Sequence, residues 1–146
     1  MESRQLLLAL VERTRRDFVS YFADTPNAEV AEQLIDTVLA NPKGALRERQ
    51  QLEFLIPDTE DDGSLEASYA LNAGVIVTLF VDFAITGSQT CVDEAATLLL
   101  DTAYFKAGAA LEASGVPEPT DVQMKEHLIF VREKQWLENL AERPGA

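Results

Sequence analysis

The chain of 146 residues has one cysteine, Cys91, and one histidine, His127. A single thiol excludes an intrachain disulfide and fits a reducing compartment. A single imidazole excludes a metal centre built from several histidines. Any Ser-His-Asp arrangement would have to use His127, and no Gly-x-Ser-x-Gly elbow occurs. Glycine is scattered: Gly44, Gly63, Gly74, Gly87, Gly108 and Gly115 never form a phosphate-cradling Gly-x-Gly-x-x-Gly. No paired zinc-ligand spacing is present.

Positive charge is scarce as well. Lys and Arg total 12 against 25 Asp and Glu, a formal charge of −13. Between Arg49 and Lys106 there is no Lys or Arg. That stretch carries Glu53, Asp58, Glu60, Asp61, Asp62, Glu66, Asp82, Asp93, Glu94 and Asp101. Such a surface repels phosphate and anionic lipid head groups, so nucleic acid and membrane surfaces are disfavoured partners. A basic protein surface or a cation is favoured. If folding keeps the charges apart, one side of the molecule is strongly negative. The apolar run Leu6 to Val11 is short, lacks a cleavage site and is followed by Glu12, Arg13, Arg15 and Arg16. It reads as the start of a helix in an unexported, cytoplasmic protein.

Apolar residues make up 47% of the chain, enough for one core at this length. The punctuation predicts a single all-α domain over residues 1–146, a bundle of about six helices. Ser3 can cap the first, which runs to about Ala23 with Leu7, Val11, Phe18 and Phe22 at helical spacing. Asp24-Thr25-Pro26-Asn27 ends it, and Asn27 can cap a second through Val30, Leu34, Ile35, Val38 and Leu39. After Asn41-Pro42-Lys43-Gly44, a third takes Leu46 to about Ile56, before Pro57. A fourth runs from Ser64 to about Thr86 and is apolar nearly all round, which places it at the centre. Asn72, Thr78 and Asp82 interrupt it and argue against a membrane span. Thr90 opens a fifth to about Ser114, and Gly115-Val116-Pro117-Glu118-Pro119 stops it. Thr120 caps a sixth through Leu140, ended by Pro144-Gly145.

Asp58-x-Glu60-x-Asp62-Gly63 has the opening of a calcium loop, but the twelfth position is Tyr69 rather than a bidentate Glu. The same acids suit a solvated loop before the helix that starts near Ser64, and they suit a basic partner. Asp58, Glu60, Asp61, Asp62 and Glu66 are therefore the expected partner-binding residues. No catalytic, cofactor or metal residue is assigned. Asp82, inside the fourth helix, is expected to reach an arginine, a helix end or a polar seam. His127 is expected in solvent, Cys91 buried, and Tyr21, Tyr69, Tyr104 and Trp136 in packing.

Leu52-Glu53-x-Leu55-Ile56-Pro57-Asp58 leads into the acidic loop. Ser68-Tyr69-Ala70-Leu71-Asn72-Ala73, a long apolar helix and an Ala-x-x-x-Leu-x-x-Asp-Thr-Ala helix follow. Gln135-Trp136 stands in the last helix. Over residues 51–140 this pattern resembles the YjaG-like bacterial family, a domain of unknown function. The resemblance implies an all-helical cytosolic fold and transfers no catalytic residue. The family pattern has Asp near position 72, where this chain has Asn72.

Three readings of function follow. The first is a non-enzymatic acidic protein-binding module, in concrete form an immunity-type inhibitor that plugs a basic toxin or effector surface. The second is a metal-dependent enzyme using Asp58, Glu60, Asp62 and Asp82. The third is a housekeeping homodimer paired through an apolar face of the first or last helix.

Overall fold

A computed structural model describes residues 1–144. Seven α-helices and one 3-10 turn make up its regular structure: α1 (Ser3–Tyr21), α2 (Asn27–Ala40), the turn Pro42–Gly44, α3 (Leu46–Leu55), α4 (Leu65–Thr86), α5 (Gln89–Ala113), α6 (Asp121–Glu126) and α7 (Leu128–Ala141). No strand occurs among the described residues. The all-α bundle expected from the sequence is present.

α4 holds the centre because almost none of its faces is polar. Ala70, Ile76, Val77, Phe80 and Val81 are buried on it, and α1, α3 and α5 pack around it. The stripe Leu7, Leu10, Val11, Thr14 and Phe18 is the face α1 buries, the three-and-four spacing of an amphipathic helix. Each fully buried large side chain, such as Phe18 or Phe80, contributes about 1.5–3 kcal/mol by leaving water. α4 is long and apolar enough to cross a membrane, and here half of its apolar window is buried inside the bundle.

The capping chemistry decides where α4 begins and ends. Ser64 Oγ accepts the N–H of Ala67 at 3.1 Å, so Ser64 is the N-cap rather than the first residue. At the other end Gly87 takes the left-handed conformation, φ 68°, and its N–H donates to the Phe83 carbonyl at 2.7 Å. α5 then returns antiparallel to α4. Asn72 Nδ2 donates to Thr102 Oγ1 at 3.0 Å between them. Asn72 thus serves as a polar pin between two helices.

Three of the expected caps are not used. Ser3 and Asn27 are the first residues of α1 and α2, and neither N-cap there makes a side-chain bond. Ser88, not Thr90, precedes α5, also without a side-chain bond. The single last helix expected from Thr120 is two helices. Thr120 does cap α6, in a reciprocal box with Gln123. His127 then turns extended, and its Nδ1 accepts the Ile129 N–H at 3.1 Å to start α7. The expected lone solvent histidine is a half-buried cap. Glu142 is the C-cap of α7, its N–H donating to the Glu138 carbonyl at 3.1 Å; of the expected Pro144-Gly145 stop, Gly145 lies outside the described residues. The Met1 ammonium donates to the carbonyls of Ala141 and Arg143, which places the start of α1 beside the end of α7.

Candidate functional site

The helix directions create two ends. α1 runs antiparallel to α4 and parallel to α5: Ser3 Oγ donates to Gln89 Oε1, while Lys106 Nζ, further along α5, donates to Asp17 at 3.0 and 2.9 Å. The end of α1, the loop before α4 and the end of α5 therefore meet at one pole.

The loop from Asp58 to Ser64 is wound on its own acids. Asp58 Oδ1 accepts the Glu60 N–H at 2.9 Å, and the Asp58 carbonyl accepts the Asp61 and Asp62 N–H groups. Asp62 Oδ1 accepts the Ser64 N–H at 3.0 Å, and Asp62 Oδ2 accepts the Tyr21 hydroxyl at 2.6 Å. The Tyr21 hydroxyl first, and the Ser64 N–H next, hold the Asp62 carboxyl below the usual carboxylate range. The same carboxylate raises the Tyr21 phenol. Asp62 ties the loop to α1, and Asp58 shapes it. Glu60, Asp61 and Glu66 are left exposed, and none has an ion-pair partner among the described residues.

The acids of the calcium-like opening are engaged within the loop: Asp58 Oδ1 and Asp62 Oδ1 accept loop N–H groups, and Asp62 Oδ2 accepts the Tyr21 hydroxyl. Tyr69, at the twelfth position, lies under Lys106, whose Nζ is 5.1 Å from the ring centroid. Among the described residues no three Asp, Glu, His or Cys side chains gather to hold a metal ion.

The pole is larger than the loop. Asp24 follows α1, and Glu112 and Glu118 close α5 beside Leu65. Residues 20–28, 56–69 and 110–119, which build this end, contain no Lys or Arg. Unopposed charge here sits with Glu66 over the positive end of the α4 dipole, a position that favours carboxylates. Burial first, with Glu66 and Asp17 adding, raises the Tyr69 phenol.

Of the rest of the acidic stretch, exposed Asp101 lies midway along α5 beside Tyr104, Asp121 and Lys125, and the others lie away from the pole. Asp93 and Glu94 lie in the first turns of α5, at the far end of a helix of 25 residues, about 30 Å away. Glu53 and Asp82 are both held by Arg49. The long run without cations therefore folds into one acidic pole, not a continuous acidic flank. Asp82 has the arginine partner expected of it. Cys91 is buried, and burial first, then Asp82, raises its thiol, which disfavours the thiolate. The aromatic residues pack as expected: Trp136 is half-buried under Arg13, 4.1 Å from the ring centroid.

Phe54 is a surface residue the sequence reading passed over. It is 84% exposed at the end of α3, immediately before the acidic loop. A signal for it exists. Leu52 is the one buried residue of α3, and two helical steps of about 100° each carry Phe54 to the opposite side. No protein-family description, curated protein or solved structure matches the chain.

Proposed function

We propose that this chain is a non-enzymatic binding module whose acidic pole docks a basic protein surface. Asp58, Glu60, Asp61, Asp62 and Glu66 are its contact region, with Asp62 holding the loop in place and the others meeting the partner. The observation that carries the reading is the meeting of three cation-free segments at one end of the bundle. Phe54 supports it as an apolar anchor beside the charges, the combination that central interface contacts use. Charge of one sign speeds encounter with an opposite surface. An immunity-type inhibitor of a cationic toxin or effector domain is the concrete form proposed. A cytoplasmic location belongs to the same proposal, as does membership of the YjaG-like bacterial family on the residues quoted above.

The test is capture from native lysate with the wild-type chain and with the variant Asp58→Lys/Glu60→Lys/Asp61→Lys. The reading expects a basic protein on the wild type and its loss from the variant. The same proteins on both would refute it. A homodimer through the last helices is the second reading, favoured by exposed Val122, Leu128 and Ile129. Light scattering at the mass of one chain would exclude it.

A further inference from the structure

A groove runs along the second half of α5 beside the acidic pole. Phe105, Gly108, Ala109 and Glu112 line it from α5, facing Leu65 of α4 and Met124 of α6. Its volume is about 230 Å³. Phe105 and Leu65 leave 46% and 41% of their surfaces to solvent, although neither belongs to a polar face by chemistry. The rim is acidic: Glu112 and Glu118 line the groove, and exposed Glu66 follows Leu65. Two cations adjoin lining residues in sequence: Lys106, next to Phe105, is bound by both oxygens of Asp17, and Lys125, next to Met124, pairs with Asp121 at 3.3 Å.

We propose that this groove seats the apolar face of a basic amphipathic helix, the lysines or arginines of which meet Glu66, Glu112 and Glu118. The proposal rests on the docking reading above and names the chemistry of its partner. Two observations select a helix with positive flanks. The floor follows α5 at three- and four-residue steps, Phe105 to Gly108, Ala109 and Glu112, so it is a straight furrow along a helix. The described residues contain no strand, so there is no sheet edge for an extended peptide to join, and a helix laid along the furrow suits its direction. The rim then fixes the sign of the partner, because a like charge brought against these carboxylates is repelled. Met124 lets the groove adapt. A Cβ on Gly108 would lie 2.8 Å from the Met124 sulfur, so the flexible thioether fills the space left by the missing side chain.

The probe is a synthetic helical peptide of leucine and lysine with one apolar face, followed by fluorescence anisotropy. A control peptide has serine at every leucine. Phe105→Gln and Leu65→Gln change side chains already open to solvent, and thermal melting checks that both variants fold. The expected result is binding to the wild type, with affinity about tenfold weaker for the serine peptide and for each variant. Equal binding by the wild type and both groove variants would overturn the groove. So would the absence of any binding to the wild type. If Asp58→Lys/Glu60→Lys/Asp61→Lys weakens the peptide while the groove variants do not, the acidic-pole reading survives and the groove does not. If the lysate test fails while the groove variants still lose the peptide, the pole reading falls alone.

Discussion

Arg49 grips Asp82 through two parallel hydrogen bonds, Nε to Oδ1 at 2.7 Å and Nη2 to Oδ2 at 2.9 Å. The pair joins α3 to the central helix at a place only 26% and 32% exposed. Forked guanidinium–carboxylate pairs of this kind are the stronger ion pairs, and losing one partner leaves a charge short of solvent. Arg49→Met is expected to cost about 1–2 kcal/mol, seen as a melting midpoint several degrees lower. Arg49→Met/Asp82→Leu removes both charges and is expected to recover most of that loss. A double variant no more stable than the single one would contradict this account of the pair.

The hydrogen bond from Tyr21 to Asp62 gives a pH dependence. The Asp62 carboxyl is lowered in the folded chain, so its contribution is present above the unfolded carboxylate pKa and is lost as pH falls through the lowered value. The Tyr21 phenol is raised, so its contribution is present below the unfolded phenol pKa and is lost as pH rises through the raised value. Tyr21→Phe removes the largest cause of the Asp62 shift. Between about pH 5 and about pH 2 the wild type should lose more stability than Tyr21→Phe. Parallel urea-denaturation profiles across that range would show that the bond carries no such effect.

Gly74 marks the closest approach of the loop side of the core to α4. A Cβ there would lie 2.6 Å from Ile56 Cγ1 and 3.0 Å from Phe18 Cε2. Alanine improves helix propensity by about 1 kcal/mol, but overpacking a filled core costs about 1–3 kcal/mol. Phe18 is fully buried and has little room to yield. Gly74→Ala is expected to lower the denaturation midpoint, and an unchanged or raised midpoint would contradict the close packing.

The engagement of Asp58 and Asp62 within the loop bears on metals. A bound ion stabilises the folded chain by mass action. Calcium, magnesium or manganese at about millimolar concentration should leave the melting midpoint in place. A saturable rise with any one of them would restore the metal reading.

The helices were legible because their apolar residues repeat at helical spacing and their ends carry turn residues. α4 was placed at the centre from its composition alone, and the capping role of Thr120 was visible from its position. The break at His127 was not legible, because residues 121–140 keep an apolar period across it. A histidine accepting the N–H two residues on has no distinctive sequence mark. The loop acids Asp58 to Asp62 and Glu66 were legible one by one, but the meeting of Asp24, Glu112 and Glu118 with them, and their separation from Asp93 and Glu94, were not. That separation follows from α4 and α5 being antiparallel, which puts sequence neighbours of the second turn far from those of the first. Phe54 was missed because an apolar residue in a short helix reads as core until the buried face of that helix is fixed by its neighbours.

The most direct measurement is the association rate of the chain with the basic protein captured by it, followed by stopped flow across ionic strength. The rate should fall steeply as salt screens the pole, and Asp58→Lys/Glu60→Lys/Asp61→Lys should associate at least about tenfold more slowly at low salt. A rate indifferent both to salt and to reversal of these three charges would contradict the acidic pole as the docking surface.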